Sequence, residues 1–335
     1  MENKRDLLER AMRGEEVERV PCGFWHHFIL GKDQFIGLEQ PEVLERAYEG
    51  HKKYYDTVRP DMMKLMSEGF FGYPPIMDNP LETEEDLRAI KAVGKNHPWI
   101  REQVKHVKRL VDAFHEEVFC FYNIFSPLQM IRIKFDFLDL DFDHFVRLAE
   151  AYPDALYAAG QEIMKDVMDL VRLLFEEARI DGIYYCVQNI QSKKYDKALY
   201  DKIIRPCEKP VLDFANSCSD SNILHICGYA RHTNHFAYYK DYAAKIYNWA
   251  IHTDGVSLEE GRKYFQTDCV LGGFDNNPGT LIDCGTKEEL EEEVRQLIAE
   301  NGYRGFILGA DCSIPNDIDD ARVRIIRDAC HKFRK

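Results

Sequence analysis

Three residues of the chain have the types and spacing to hold a metal ion: His225 and Cys227 in "NILHICG", and Cys312 in "GADCSIP". An imidazole and a thiol two positions apart on an extended segment point to one face, so both can reach the same ion. A second thiolate from a distant segment completes a Cys2His set, which zinc uses in catalytic sites while its fourth position stays open. The expected cofactor is therefore Zn2+. The pair alone is weak evidence, because 12 histidines and 10 cysteines in 335 residues supply roughly 0.4 such pairs by chance. Position carries the weight, since both halves of the set follow apolar runs of strand length.

Those runs recur. Residues 19–25, 61–68, 118–124, 181–187, 222–227, 245–250, 269–274 and 305–310 read as eight short strands. Between them lie longer stretches whose apolar residues return every three to four positions, such as "PEVLERAYEGHKKYYDTV", "DALYAAGQEIMKDVMDLVRLLFEEA" and "KEELEEEVRQLIAENG". The last is opened by Thr286 and Glu289 as a capping box and closed by Gly302. Strands apolar on both faces, alternating with helices, predict a parallel sheet covered by helices. Eight such units predict a single α/β domain over residues 1–335, a (β/α)8 TIM barrel with an N-terminal helical extension. A doubly wound sheet competes, but no G-x-G-x-x-G follows the first strand and no Walker loop is present. No linker, low-complexity tract or internal period divides the chain.

In a barrel, chemistry belongs just beyond the carboxyl ends of the strands. Those ends carry Trp25, His26 and His27; Ser67 and Glu68; Asn123; Gln188 and Asn189; His225 and Cys227; Asp254 and Glu259; Asp275 and Asn276; and Asp311 with Cys312. His26 and His27 are neighbours on an extended segment, so one faces the mouth, to orient substrate or relay a proton, and the other faces outward. Glu259 is a candidate resting-state ligand that substrate displaces, or else a solvated acid in a first helical turn. Asp254 either polarises a ligand or pairs with a helix. Asn123 and Gln188 offer hydrogen bonds to a substrate oxygen, and Trp25, Asn189, Asp275 and Asn276 complete the expected substrate-binding rim. Tyr184 and Tyr185 either stack on a planar substrate or belong to the core. Cys186, Cys207, Cys218, Cys269, Cys284 and Cys330 read as reduced thiols that act as small hydrophobes.

A net charge of −14 at pH 7 argues against nucleic acid or an anionic membrane as partner. No window approaches the roughly 18 unbroken apolar residues of a membrane helix. The opening "MENKRDLLERAMRGEE" is too charged for a secretory signal. A cytoplasmic protein is expected, with a homodimer as the default assembly.

Over nearly its whole length the chain resembles the uroporphyrinogen decarboxylase superfamily, through the opening "RDLLERAMRGEEVERVP", the strand "VLGGFDNN" and the closing "GFILGADCSIP". Within it, "HICG" and "GADCSIP" resemble the zinc-containing cobamide-dependent methyltransferases, of the methylcobamide:coenzyme M methyltransferase type, whose pattern is H-x-C, a long gap and a second C. The resemblance carries His225, Cys227 and Cys312 as zinc ligands. It implies a methyltransferase that moves a methyl group between a cobamide and a small-molecule thiol or methylated substrate. The cobamide is then supplied by a separate corrinoid protein, since the chain lacks the D-x-H-x-x-G signature of such a carrier. The decarboxylases themselves resemble one another in an arginine-rich segment after the first strand, where this chain reads "CGFWHHFILG", and in a late histidine, near which it has Cys312. A decarboxylase of uroporphyrinogen type and a non-catalytic small-ligand-binding barrel stand as the alternatives.

Overall fold

A computed structural model describes residues 3–189, 196–228 and 233–335. Seven parallel strands form one sheet in sequence order: β1 (Met62–Leu65), β2 (Phe119–Phe125), β3 (Gly182–Val187), β4 (Ile223–Ile226), β5 (Ile246–Trp249), β6 (Val270–Phe274) and β7 (Phe306–Ala310). The main helices are α1 (Lys4–Met12), α2 (Pro41–Val58), α3 (Pro98–Phe114), α4 (Pro127–Lys134), α5 (Pro153–Leu173), α6 (Arg205–Cys218), α7 (Leu258–Phe265), α8 (Lys287–Asn301) and α9 (Asp320–Lys332). Helix α2 begins on Pro41, whose missing N–H costs nothing in a first turn. Helix α8 is opened by the expected Thr286/Glu289 capping box and stopped by Gly302 at φ 71°. Among the described residues no helix is long and apolar enough to cross a membrane.

The expectation of eight strands is corrected to seven, because residues 19–25 do not form a ladder. Pro21 has no N–H to give, and pairing with β7 is reduced to one isolated parallel bridge between Cys22 and Leu308. The segment still lies between the two outer strands. Gly23 N–H donates to Leu308 O at 2.9 Å, Leu308 N–H to Pro21 O at 2.9 Å, and Asp61 N–H to Cys22 O at 2.9 Å. Backbone bonds thus run from β7 through irregular chain to the residue ahead of β1. A buried ion pair fastens this seam: Arg19 grips Asp61 through two contacts of 2.7 Å, and Asp61 Oδ2 also accepts Cys22 N–H at 2.9 Å.

The strands are buried on both faces, as a sheet lined inside by side chains and outside by helices requires. Leu8 and Met12 of α1 join Met62, Phe119, Ile223 and Ile307 in the interior cluster. Arg5 donates to Val118 O at 2.9 Å and to Asp181, the residues just ahead of β2 and β3. Helix α1 therefore covers the amino-terminal pole of the sheet, and the opposite pole is left for chemistry. Parallel register sets Cys186 of β3, His225 of β4 and Asn248 of β5 side by side at one level.

Replacing Asp61 with alanine takes the carboxylate from a charged Arg19 whose side chain is fully buried. We expect a loss of about 3–5 kcal/mol in urea-induced unfolding, with Asp61→Asn losing less because it still accepts Cys22 N–H.

Candidate metal centre

His225 points inward from β4, and the backbone fixes Cys227 on the same face: Cys227 N–H donates to Val187 O at 2.9 Å, extending the β3–β4 ladder by one residue. Gly228 follows because the chain passes β5 here; a Cβ at Gly228 would lie 2.3 Å from Ala250 Cβ. Asn234 donates from Nδ2 to Cys227 O at 3.0 Å, and Asp254 accepts Asn234 N–H at 2.7 Å. Cys312 comes from the other side, two residues past β7. In a flat sheet the ends of β4 and β7 stand roughly 14 Å apart, three strand spacings. Here Cys312 Sγ lies 3.4 Å from His225 Nε2 and 3.7 Å from Cys227 Sγ, because the sheet curls.

Those separations are what one ion requires. With Zn–S near 2.3 Å and Zn–N near 2.0–2.1 Å in a tetrahedron, the edges are about 3.8 Å between sulfurs and about 3.6 Å from sulfur to nitrogen. A fourth donor also stands here. Cys186 Sγ, a nitrogen of His225 and Cys227 Sγ all lie within 4.8 Å of one another, so the His225–Cys227 edge is shared by Cys312 and Cys186. The expectation that Cys186 is an incidental core thiol is corrected by this position: the register that faces it with His225 turns its sulfur into the site. Cys218 and Cys284, also expected to be buried, are exposed.

Asn248 determines which imidazole nitrogen is available. Its Nδ2 donates to Leu271 O at 2.8 Å and Ala310 O at 3.0 Å, so its amide cannot be reversed. Its Oδ1 accepts Tyr184 OH at 2.6 Å and faces His225 Nδ1. Nδ1 must therefore carry the proton, and the Nε2 lone pair is left toward the sulfurs. The neighbouring Cys186 sulfur, with burial, pushes the Cys227 thiol up to about 12, and Cys227 with burial raises Cys312 further. Without a cation these sulfurs keep their protons at neutral pH; a bound dication displaces them.

The four donors line a cavity of about 460 Å³ at the carboxyl pole of the strands. Its apolar wall is Met66, Phe71, Phe125, Ile133, Phe137 and Ile314, and its polar lining includes His27, Lys64, Asn123, Gln188, Asn276 and Ser313. Of the two adjacent histidines, His27 faces the cavity. Its Nδ1 lies 3.1 Å from Glu68 Oε1, and its Nε2 lies 3.5 Å from Ser313 Oγ. His26 turns outward, with Nε2 3.0 Å from Asp320 Oδ1 at the start of α9. Asn123 Nδ2 donates to Ser67 Oγ at 2.9 Å, and Asn276 Nδ2 donates to Ser313 O at 3.0 Å.

Other candidates stand back from the cavity. Trp25 is buried in the interior, 5.0 Å from the Tyr184 ring and 6.5 Å from the His225 ring. Asn189 and Asp254 knit the loop after β4: Asn189 Nδ2 donates to His235 O at 3.1 Å, as Asp254 holds Asn234. Asp275 accepts Asn277 N–H at 2.9 Å. Glu259 is three-quarters exposed at the start of α7 and pairs with Lys263, so it is not brought to the sulfurs. Tyr184 and Tyr185 do not form a stacking wall: Tyr184 is spent on Asn248, and Tyr185 OH donates outward to Glu208 O at 2.8 Å. The aromatic wall comes instead from Phe71, Phe125 and Phe137. Three residues escaped the sequence reading as site residues, Cys186, Asn248 and Lys64, while Glu68 was read only as a strand-end residue. The available signal was a polar or charged residue inside an apolar strand, plain for Lys64 in "DMMKLMSE" and Asn248 in "KIYNWA".

A profile of the family described as uroporphyrinogen decarboxylase (URO-D) matches residues 66–333. The chain belongs to the uroporphyrinogen decarboxylase family. No curated protein matches it by sequence. Among solved structures it is similar to a methyltransferase from Methanosarcina mazei, with TM-score 0.67, 14% identity and 99% of each chain covered. It is also similar to a B12-independent methionine synthase from Shewanella sp. W3-18-1 in complex with selenomethionine, with TM-score 0.57, 11% identity and coverage of 95% of this chain and 97% of that one. The likeness extends to GH5_18 from Streptomyces cattleya in complex with GlcNAc, with TM-score 0.53, 11% identity, and 94% of this chain and 81% of that one covered. At these identities the likeness is one of fold, so activity in this uroporphyrinogen decarboxylase family member must be read from its site.

Two substitutions test the geometry. Asn248→Leu removes the acceptor of His225 and Tyr184 and the donors to two carbonyls, and should cost at least about 3 kcal/mol in urea-induced unfolding. Burial pushes Asp254 up to about 6 from 3.8. The folded state then binds the proton more tightly, and stability falls by about 2 kcal/mol as pH rises from 4 to 6.5. Asp254→Asn should remove that slope from a series of urea midpoints taken against pH.

Proposed function

We propose that this protein is a zinc-dependent methyltransferase that moves a methyl group between a cobamide, carried on a separate corrinoid protein, and a small molecule bound in the cavity. The observation that carries the reading is the convergence of His225 Nε2, Cys227 Sγ and Cys312 Sγ at tetrahedral-edge distances at the base of that cavity. The donor set fits zinc by chemistry as well as by distance. Soft thiolates and an imidazole with one nitrogen already committed form a site that favours it over magnesium or calcium.

His225, Cys227 and Cys312 would hold the ion, with the fourth position open to water or substrate and Cys186 beside the His225–Cys227 edge. Glu259, the resting-state ligand expected from the sequence, lies instead on the exposed face of α7. Zinc supplies Lewis acidity, which keeps an incoming thiol deprotonated or polarises the oxygen of a methyl ether. The rest falls to side chains. The apolar wall of Phe71, Phe125 and Phe137 binds an apolar body, and Asn123, Gln188 and Asn276 orient polar atoms. His27, its Nδ1 held by Glu68, keeps Nε2 toward the cavity to take or return a proton of the reacting group. The cavity opens at the pole away from α1, where a corrinoid partner has access. A fold shared with a methyltransferase supports the reading; the cobamide rests on the "HICG" and "GADCSIP" motifs. Decarboxylation of a porphyrinogen is disfavoured by "CGFWHHFILG", which offers no arginine to the substrate's carboxylates.

Metal analysis of the purified protein should find about one zinc per chain, lost in Cys227→Ala and in Cys312→Ala. With cadmium in place of zinc, the thiolate-to-metal absorbance should correspond to the two sulfurs of Cys227 and Cys312 and stay unchanged in Cys186→Ser. Full zinc content in both alanine variants would remove the site.

A further inference from the structure

Glu208 is a buried carboxyl with no part in holding the metal or the substrate. It lies in the first turn of α6 and is 1% exposed. Its Oε1 accepts Tyr200 OH at 3.1 Å and Tyr242 OH at 3.0 Å, but its Oε2 has no hydrogen-bond partner among the described residues. A buried polar atom in that state marks a place for a water or a proton. The space is there. Glu208 lines a void of about 10 Å³ together with Ser126, Gln129, Arg132 and Gln188, which is room for one water.

This void backs onto the large cavity, because Gln129, Arg132 and Gln188 line both. Gln129 Nε2 lies 3.6 Å from Cys186 Sγ, while the Oε1 atoms of Gln129 and Gln188 are buried without a partner, as Glu208 Oε2 is. A water in the void therefore has three such oxygens among the residues around it, and a wall of shared side chains separates it from the cavity. Glu208 also changes charge near neutrality. Burial pushes it up to about 7, against the pull of the Tyr242, Ser126 and Tyr200 hydroxyls and of Arg132. Burial raises Tyr200, Tyr242, Tyr185 and Cys207 as well, so these neighbours keep their protons, and Arg132 is paired with Asp136 at 2.9 Å.

We propose that Glu208 is a proton-exchanging group of the cavity, joined to it by one water in this void. The water passes a proton to Oε2 as it takes one from an acid in the cavity, and the reverse step returns it, so the proton is moved and the interior keeps its net charge. The use of such a store rests on the methyl-transfer reading, in which a methyl group given to a thiol frees one proton and one taken from an ether consumes one. The exchange itself needs no metal.

Infrared spectra of the metal-free full chain test it through the stretch of a protonated carboxyl. A band from Glu208 should be present at low pH, fade through about pH 7 and be missing from Glu208→Gln. In Glu208→Asp, which serves if the first variant does not fold, the band should be displaced instead. On dilution into D2O the parent's band should shift within the mixing time, because a water reaches the carboxyl. In Gln129→Leu/Gln188→Leu, with folding checked by a melting curve, the same shift should slow to a resolved phase. A Glu208 band absent at every pH, or one that outlasts mixing with D2O in the parent, overturns the proposal. Exchange in the folded double variant as fast as in the parent overturns it too. A protein that takes up no zinc yet gives the expected spectra removes the methyl-transfer reading and leaves the exchange site standing.

Discussion

One buried carboxamide ties the site together. Asn248 sits on β5, donates to carbonyls of β6 and β7, and accepts from Tyr184 of β3 while facing His225 of β4. Five strands therefore meet at one side chain, and the bond to Ala310 O anchors β7 two residues before Cys312. The same contacts that hold the curl of the sheet also dictate the imidazole tautomer. Sheet curvature and ligand readiness are here a single constraint, since neither survives reversal of the amide.

Around that anchor the chain brings a soft-donor cluster to the pole opposite α1. Parallel register supplies Cys186 and His225 at one level, the pleat adds Cys227 on the same face, and curvature brings in Cys312. Each donor depends on a different feature of the backbone. That division explains why the first two lie on regular strands while the other two need loops pinned by Asn234, Asp254 and Asp311. Asp311 does its share by accepting His252 N–H at 2.8 Å, which holds the chain just ahead of Cys312.

Much of this was legible from residue pattern. Seven of the expected strands appear within a few residues, because runs such as "DGIYYCV" and "GFILGA" are apolar on both faces, as a covered parallel sheet demands. The eighth was misread: "RVPCGFW" has the hydrophobicity of a strand, but Pro21 lacks the N–H a ladder needs and only Cys22 bridges to β7. Site residues were legible where they end a strand, as with His225, Cys227 and His27. Cys186 was hidden because a thiol inside an apolar run looks like core, and only its register opposite His225 reveals otherwise. Glu259 misled for the opposite reason: its position after a strand was right, yet the capping box used Ser257 and Glu260 and turned Glu259 to solvent.

The chemistry follows from what such a site lacks as much as from what it holds. Buried thiols with raised pKa values do little by themselves at neutral pH, so under the proposed function the cluster works by exchanging protons for a cation. X-ray data collected on either side of the zinc edge, from crystals grown with zinc, test this most directly. The account predicts one anomalous peak at about 2.0–2.1 Å from His225 Nε2 and about 2.3 Å from the sulfurs of Cys227 and Cys312. A peak bound elsewhere, or none beside those sulfurs at full zinc occupancy of the crystal, would contradict it.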